Sequence, residues 1–201
     1  MKLFGKSDYS FIEIYDNALT KKECEILINQ FEKSDQTSDG KCFKEGLLSI
    51  DYSFKKCQEL NGCEFDKKDC SKEVKIINNI IFPCLSYYVD EYYKKYDSLK
   101  HISQWTYATD YNFQKYETED DGFKLWHCEH GTGWSSERVM AWMFYLNDAK
   151  SGTEFMYYPT ISAKRGRFVI WPAFWTHTHR GSPNKGLKYI ITGWLRFNQS
   201  K

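Results

Sequence analysis

The sequence predicts an α+β fold, with helices gathered in the first half and a train of short strands in the second that form a sandwich or jelly roll. Three observations carry this. Up to about residue 100 the clearest apolar patterns recur at helical spacing, whereas from about residue 101 short β-rich runs take over. Turn sequences separate those runs: Asp120-Asp121-Gly122, Ser151-Gly152, Lys164-Arg165-Gly166 and Asn184-Lys185-Gly186. The 201 residues are expected to make one domain, 1–201, divided into a helical support region (1–100) and a strand-rich core (101–201).

In chain order, Phe11 to Tyr15 alternates and reads as a short strand, and Thr20-Lys21-Lys22-Glu23 has the form of a capping box. The helix it opens carries Cys24, Leu27, Ile28 and Phe31 on one face. Ser34 to about Gly46 is polar and reads as a loop long enough to act as a lid, and Asp51 to Cys70 is lysine-rich and irregular. Ser71 caps a long helix with Val74, Ile77, Ile81, Leu85, Tyr88 and Tyr92 on one stripe, which Pro83 should kink or divide. Strands are expected over 104–116, 123–129, 138–146, 153–158, 167–171 and 188–197.

Composition narrows the function. With 28 basic and 27 acidic residues the net charge is +1, so nothing indicates nucleic acid or an anionic membrane as partner. Seven cysteines without a repeated C-x-x-C pair read as reduced thiols rather than a zinc site. The first residues lack the apolar run of a signal peptide and no segment is apolar enough to span a bilayer, on which ground a cytoplasmic location is expected. No pattern fixes the oligomeric state.

Chemistry concentrates in Phe123-Lys124-Leu125-Trp126-His127-Cys128-Glu129. On a strand, His127 and Glu129 share a face and can hold one metal ion, with Cys128 turned away. A third ligand is available from His177 or His179, which alternation also places on a common face, so periodicity does not choose between them. His130 as a helical co-ligand is opposed by Gly131 and Gly133. Two histidines and a carboxylate with open positions form the ligand set of non-haem Fe(II) oxygenases. In the strand Lys188 to Trp194, residues 188, 190, 192 and 194 share the inner face, where a lysine is costly unless an anion meets it. Tyr145, in a run apolar on both faces, also needs a partner for its hydroxyl.

These motifs resemble the Fe(II)/2-oxoglutarate-dependent dioxygenases, in particular their prolyl 4-hydroxylase-like branch. His127-Cys128-Glu129 is similar to the family's H-x-D/E element, with glutamate where aspartate is commoner. Tyr145-Leu146-Asn147 resembles its Y-L-N strand end and Ser151-Gly152-Thr153-Glu154-Phe155 its G-G-E-T-x-F turn. His179-Arg180-Gly181-Ser182-Pro183 with Lys188 and Trp194 fits the distal frame, which favours His179 over His177 as third ligand. The resemblance implies a double-stranded β-helix, the jelly roll, with N-terminal helices packed against it. It implies Fe(II) held by His127, Glu129 and His179, and 2-oxoglutarate bound by Lys188 and Tyr145. Tyr116 would border the cosubstrate, Thr192 would support it, and O2 would be consumed. The expected activity is hydroxylation of an unidentified substrate, a peptidyl proline or other amino-acid residue before a small molecule, with release of succinate and CO2. Glu129 speaks against the family's halogenases, which replace the carboxylate with a small residue. Trp171, Phe174 and Trp175 border the substrate or form a structural cluster. The rivals are a non-catalytic metal- or carbohydrate-binding jelly roll and a zinc hydrolase.

Overall fold

The computed structural model describes residues 10–44, 47–62 and 70–198. Strand β1 (Glu13–Tyr15) precedes helix α1 (Lys21–Lys33), whose capping box forms as predicted: Thr20 accepts from the Glu23 amide and Glu23 reaches back to the Thr20 amide. The following segment is not a plain loop. It contains β2 (Ser38–Asp39), β3 (Cys42–Lys44) and β4 (Leu47–Ser49), and the lysine-rich stretch contributes β5 (Lys55–Lys56) and β6 (Gln58–Asn61). The support region is therefore only partly helical. Helix α2 (Lys72–Lys95) runs unbroken through Pro83. Proline removes one ladder bond, to residue 79, but the buried stripe of Ile77, Ile81, Leu85, Val89 and Tyr92 continues on either side and holds the helix together.

The core strands are β7 (Trp105–Tyr116), β8 (Gly122–Phe123), β9 (Arg138–Tyr145), β10 (Gly152–Phe155), β11 (Ile161–Ser162), β12 (Arg167–Pro172), β13 (His179–Gly181) and β14 (Lys188–Phe197). Together with β1–β6 they make an antiparallel seven-stranded sheet in the order β1-β12-β9-β14-β7-β6-β2, a three-stranded sheet β11-β10-β13 and the pairs β3-β4 and β5-β8. This is a jelly-roll core with helices on its outer face.

Alternation assigns the two faces of the large sheet. Met140, Trp142 and Phe144 of β9, with Tyr189, Ile191 and Leu195 of β14, pack into one cluster with Leu27 and Phe31 of α1 and the α2 stripe. Ala141, Met143 and Tyr145, with Ile190 and Trp194, belong to a second cluster shared with Phe155, Ile161 and Trp171. Strand β9 is buried along its whole length for this reason. The inner cluster is the smaller, and the space it leaves between the sheets becomes the site.

Two further expectations need correction. Residues 123–129 do not form one strand: after β8 the chain leaves the ladder and returns only at His127, which bridges His179. Cys70 is disulfide-bonded, which departs from the expectation of reduced thiols, while Cys24, Cys42, Cys57, Cys84 and Cys128 are free; Cys63 lies outside the described residues. Among the described residues no helix is long and apolar enough to cross a membrane.

Candidate metal centre

His127 and His179 face each other across a two-bond bridge, His127 N donating to His179 O at 2.9 Å and His179 N to His127 O at 2.8 Å. Glu129 is positioned by its amide, which donates to Ala173 O at 3.0 Å. The result is that one ligand atom from each of His127, Glu129 and His179 lies within 4.8 Å of the others. Glu129 Oε1 is 3.6 Å from His127 Nε2 and 3.5 Å from His179 Nε2.

The tautomers follow from the partners. His127 Nδ1 donates to Leu125 O at 2.9 Å and His179 Nδ1 to His177 O at 2.9 Å. A carbonyl only accepts, so each Nδ1 carries the proton and each Nε2 presents a lone pair to the shared space. Burial, together with the charge that His127 can carry, lowers the pKa of His179 and keeps it neutral. Burial alone would raise the Glu129 carboxyl, but its polar surroundings beside His127 and His179 and the Arg138 charge hold it well below the usual carboxylate range. Two imidazole nitrogens and a carboxylate are the donor set an Fe(II) ion takes in a facial site, so these residues fit that ion.

His177 is not part of this group. It ends a short 3-10 turn (Trp175–His177) instead of sitting on a strand, so alternation with His179 does not apply. Its Nε2 donates to Ser10 O at 2.8 Å and its Nδ1 accepts from Thr176 Oγ1 at 2.9 Å, so both ring nitrogens are spent away from Glu129. His130 is likewise occupied, its Nδ1 donating to Arg138 O at 3.1 Å. The Cys128 thiol, which donates to His130 O at 3.2 Å, has its pKa raised chiefly by burial and stays protonated, so it is no nucleophile.

The three residues open into an 820 Å³ cavity between the sheets, and all four further residues singled out in the sequence line it: Tyr116, Tyr145, Lys188 and Thr192. Lys188 is buried at 3% exposure; its Nζ donates to Ser151 Oγ at 2.8 Å and lies 4.6 Å from the centre of the Tyr116 ring. Burial depresses its pKa to about 8. The other buried lysine of the cavity, Lys55, is already neutralised by Glu59. Tyr145 shares a 2.6 Å hydrogen bond with Thr153 Oγ1, and burial pushes its hydroxyl up to about 12, which keeps it a donor at neutral pH. Tyr116 donates to Gln114 Oε1 at 2.7 Å, and Thr192 donates to Trp142 O at 2.8 Å.

Some expectations fail and some residues were missed. Trp171, Phe174 and Trp175 do not line the cavity: Trp171 is buried edge-on to His179, Phe174 covers His130, and Trp175 is exposed. Arg138, Trp134, Gln114, Ser151 and Thr153 do line it or bond to its residues. Ser38, Asp39, Lys41 and Cys42, from the segment read as a lid, form part of the cavity wall.

Comparison with known proteins places this arrangement. Residues 111–196 match the 2OG-Fe(II) oxygenase superfamily. A comparison with curated proteins finds no match. Among solved structures, the chain is similar to a viral collagen prolyl hydroxylase from Paramecium bursaria Chlorella virus-1 in complex with 2OG, at TM-score 0.63 and 18% identity over 96% of this chain and 100% of that one. A prolyl hydroxylase from Trichoplax adhaerens, in complex with a hypoxia inducible factor peptide fragment, aligns at TM-score 0.67 and 16% identity over 92% and 83%. A Pseudomonas putida prolyl-4-hydroxylase aligns at 0.62 and 11% over 94% of each chain. At these identities the likeness is one of fold, and the family match is confined to the strands that carry the site. Over residues 111–196, the segment that carries His127, Glu129, His179 and Lys188, the chain is similar to the 2OG-Fe(II) oxygenase superfamily, and its fold is the one these prolyl hydroxylases share.

Proposed function

We propose that the enzyme hydroxylates an amino-acid residue of a peptide, a proline first, and couples this to conversion of 2-oxoglutarate into succinate and CO2. His127, Glu129 and His179 hold Fe(II). Lys188 pairs with the distal carboxylate of 2-oxoglutarate, the hydroxyls of Tyr145 and Tyr116 border it, and Thr192 supports the inner wall. When bound, the metal with its chelated 2-oxoacid supplies the activation of dioxygen. The protein supplies two imidazole nitrogens, a fixed carboxylate and a cavity between the sheets to which Met143, Ile190 and Trp194 give an apolar stretch of wall.

The observation that carries this reading is Lys188. Among the described residues no carboxylate pairs with this buried ammonium, which is destabilising, and the destabilisation is removed when an acidic ligand arrives in the same cavity as the metal ligands. A zinc hydrolase or a metal-storing jelly roll leaves that cation without a purpose. Three prolyl hydroxylases of the same fold support the choice of a prolyl peptide.

The test is an anaerobic titration of Fe(II)-loaded protein with 2-oxoglutarate, following the visible charge-transfer band of the chelate in wild type, His127→Ala, His177→Ala, His179→Ala and Lys188→Met. Loss of the band with His127 or His179 but not His177, and weaker binding with Lys188→Met, is the expected result. No band in wild type with iron bound overturns the assignment. Peptides with and without proline, scored by succinate release and by one added oxygen in the mass spectrum, then test the substrate.

A further inference from the structure

Glu129 is held by more than the two histidines. While Oε1 faces them, Oε2 accepts from Arg138 Nη1 at 2.7 Å and from Trp194 Nε1 at 2.8 Å. The guanidinium is itself fixed: its Cζ lies 3.5 Å from the centre of the Trp194 ring and 4.2 Å from that of Trp134, and Nη1 also approaches Glu129 O at 3.3 Å. Arg138 and Trp194 are both buried at 6% exposure. Turning Oε2 away from these donors breaks two hydrogen bonds at once, one of them charge-assisted on both sides.

A carboxylate beside a cation can offer one oxygen or two. Glutamate has one more side-chain torsion than aspartate and more freedom to swing both oxygens inward. Two-oxygen ligation would fill one of the three positions that a facial triad leaves open, and a chelating cosubstrate together with dioxygen needs all three. We propose that Arg138 and Trp194 are positioning residues that restrict Glu129 to ligation through Oε1 and so keep one metal position open. This rests on the metal centre argued above. It assigns to the Trp194–Arg138–Trp134 stack a task beyond packing, because the stack fixes the direction from which Oε2 is held.

The number of water molecules on the metal reads this directly. The full-length protein is loaded anaerobically with Mn(II), and water-proton relaxivity per bound ion is measured with and without 2-oxoglutarate for wild type, Arg138→Met, Arg138→Lys and Trp194→Phe. In Arg138→Met and Trp194→Phe, relaxivity is expected to fall by about one third without cosubstrate, as one of three open positions closes, and almost to nothing with it. Arg138→Lys, which keeps a donor, should lie near wild type. Trp194→Phe retains the ring and loses the donor, which keeps the test decisive if Arg138→Met does not fold. A merely structural role would lower metal affinity and leave relaxivity per bound ion unchanged, and that result in both variants overturns the proposal. Failure of wild type to bind Mn(II), or to lose bound water on adding 2-oxoglutarate, would instead count against the metal centre itself.

Discussion

The Lys188 ammonium rests against the face of the Tyr116 ring, 4.6 Å from its centre, and donates to Ser151 Oγ at 2.8 Å. These two residues are directly opposite in the β14–β7 register, so the sheet itself delivers the cation to the ring. A cation–π contact and one neutral hydrogen bond compensate only part of the desolvation. With the pKa at about 8 against 10.5 for a free lysine, keeping Lys188 charged in the ligand-free fold costs roughly 3 kcal/mol.

That cost has a sign that can be checked. Between about pH 8 and 10.5 the unfolded chain keeps the lysine proton and the fold does not, so this group's contribution to stability rises with pH across that window. A bound dicarboxylate raises the folded pKa and cancels the rise, and by linkage its affinity falls as pH climbs above about 8. Lys188→Met is expected to stabilise the ligand-free protein by on the order of 1–3 kcal/mol at pH 7 while weakening cosubstrate binding. Urea unfolding across pH, with and without 2-oxoglutarate, checks all three. A variant less stable than wild type would show that Lys188 is satisfied within the fold.

The two distal histidines should separate cleanly. His179→Ala removes a lone pair facing Glu129 and is expected to abolish Fe(II) binding. His177→Ala leaves Ser10 O and Thr176 Oγ1 without their ring partner and should cost about 1–3 kcal/mol of stability with metal affinity kept. Calorimetric metal titration and thermal unfolding of both variants decide it. Metal loss in His177→Ala at retained stability would contradict the assignment.

Legibility of the sequence followed the regularity of the backbone. On β14, alternation correctly placed residues 188, 190, 192 and 194 toward the cavity, because that strand is paired on both sides along its length. The capping box and the α2 stripe were equally readable, since each depends on neighbours in sequence. His177 was misread because a 3-10 turn interrupts the period of two just before His179. The β6 strand was hidden because its partner, β7, lies some 50 residues on and its own residues, Gln58 to Asn61, are mostly polar. Arg138 escaped notice for a similar reason: at the head of a buried apolar strand it looked like a boundary, and only Glu129 and two tryptophans brought from elsewhere give it meaning.

Tyr145→Phe tests how far the cosubstrate pocket depends on one hydroxyl. The change leaves Thr153 Oγ1 without the partner it has at 2.6 Å, although Thr153 can also turn toward Met143 Sδ at 3.8 Å. A stability loss of about 1 kcal/mol is expected, with 2-oxoglutarate affinity reduced by about tenfold and the metal site unaffected. Unchanged 2-oxoglutarate affinity in the titration would remove Tyr145 from the pocket's working residues.

Gly152 is a position where the backbone leaves no room for a side chain. A Cβ there would stand 2.0 Å from Ile161 O and 3.0 Å from Ser162 Cα, backbone atoms of the neighbouring strand that cannot turn aside. The amide of Gly152 also accepts no substitute path, since it donates to Ser182 Oγ at 2.6 Å while its carbonyl takes the Ser182 amide at 3.0 Å. Gly152→Ala must therefore push β10 away from β11, and it lies between Ser151, which meets Lys188, and Thr153, which meets Tyr145. Destabilisation of about 2–4 kcal/mol is expected, together with weaker 2-oxoglutarate binding out of proportion to the loss of metal affinity. Denaturant unfolding and separate titrations with metal and cosubstrate measure the three effects. Equal loss of both affinities would mean that the strand shift reaches His179 through β10's pairing with β13, and that the small sheet moves as one rigid unit.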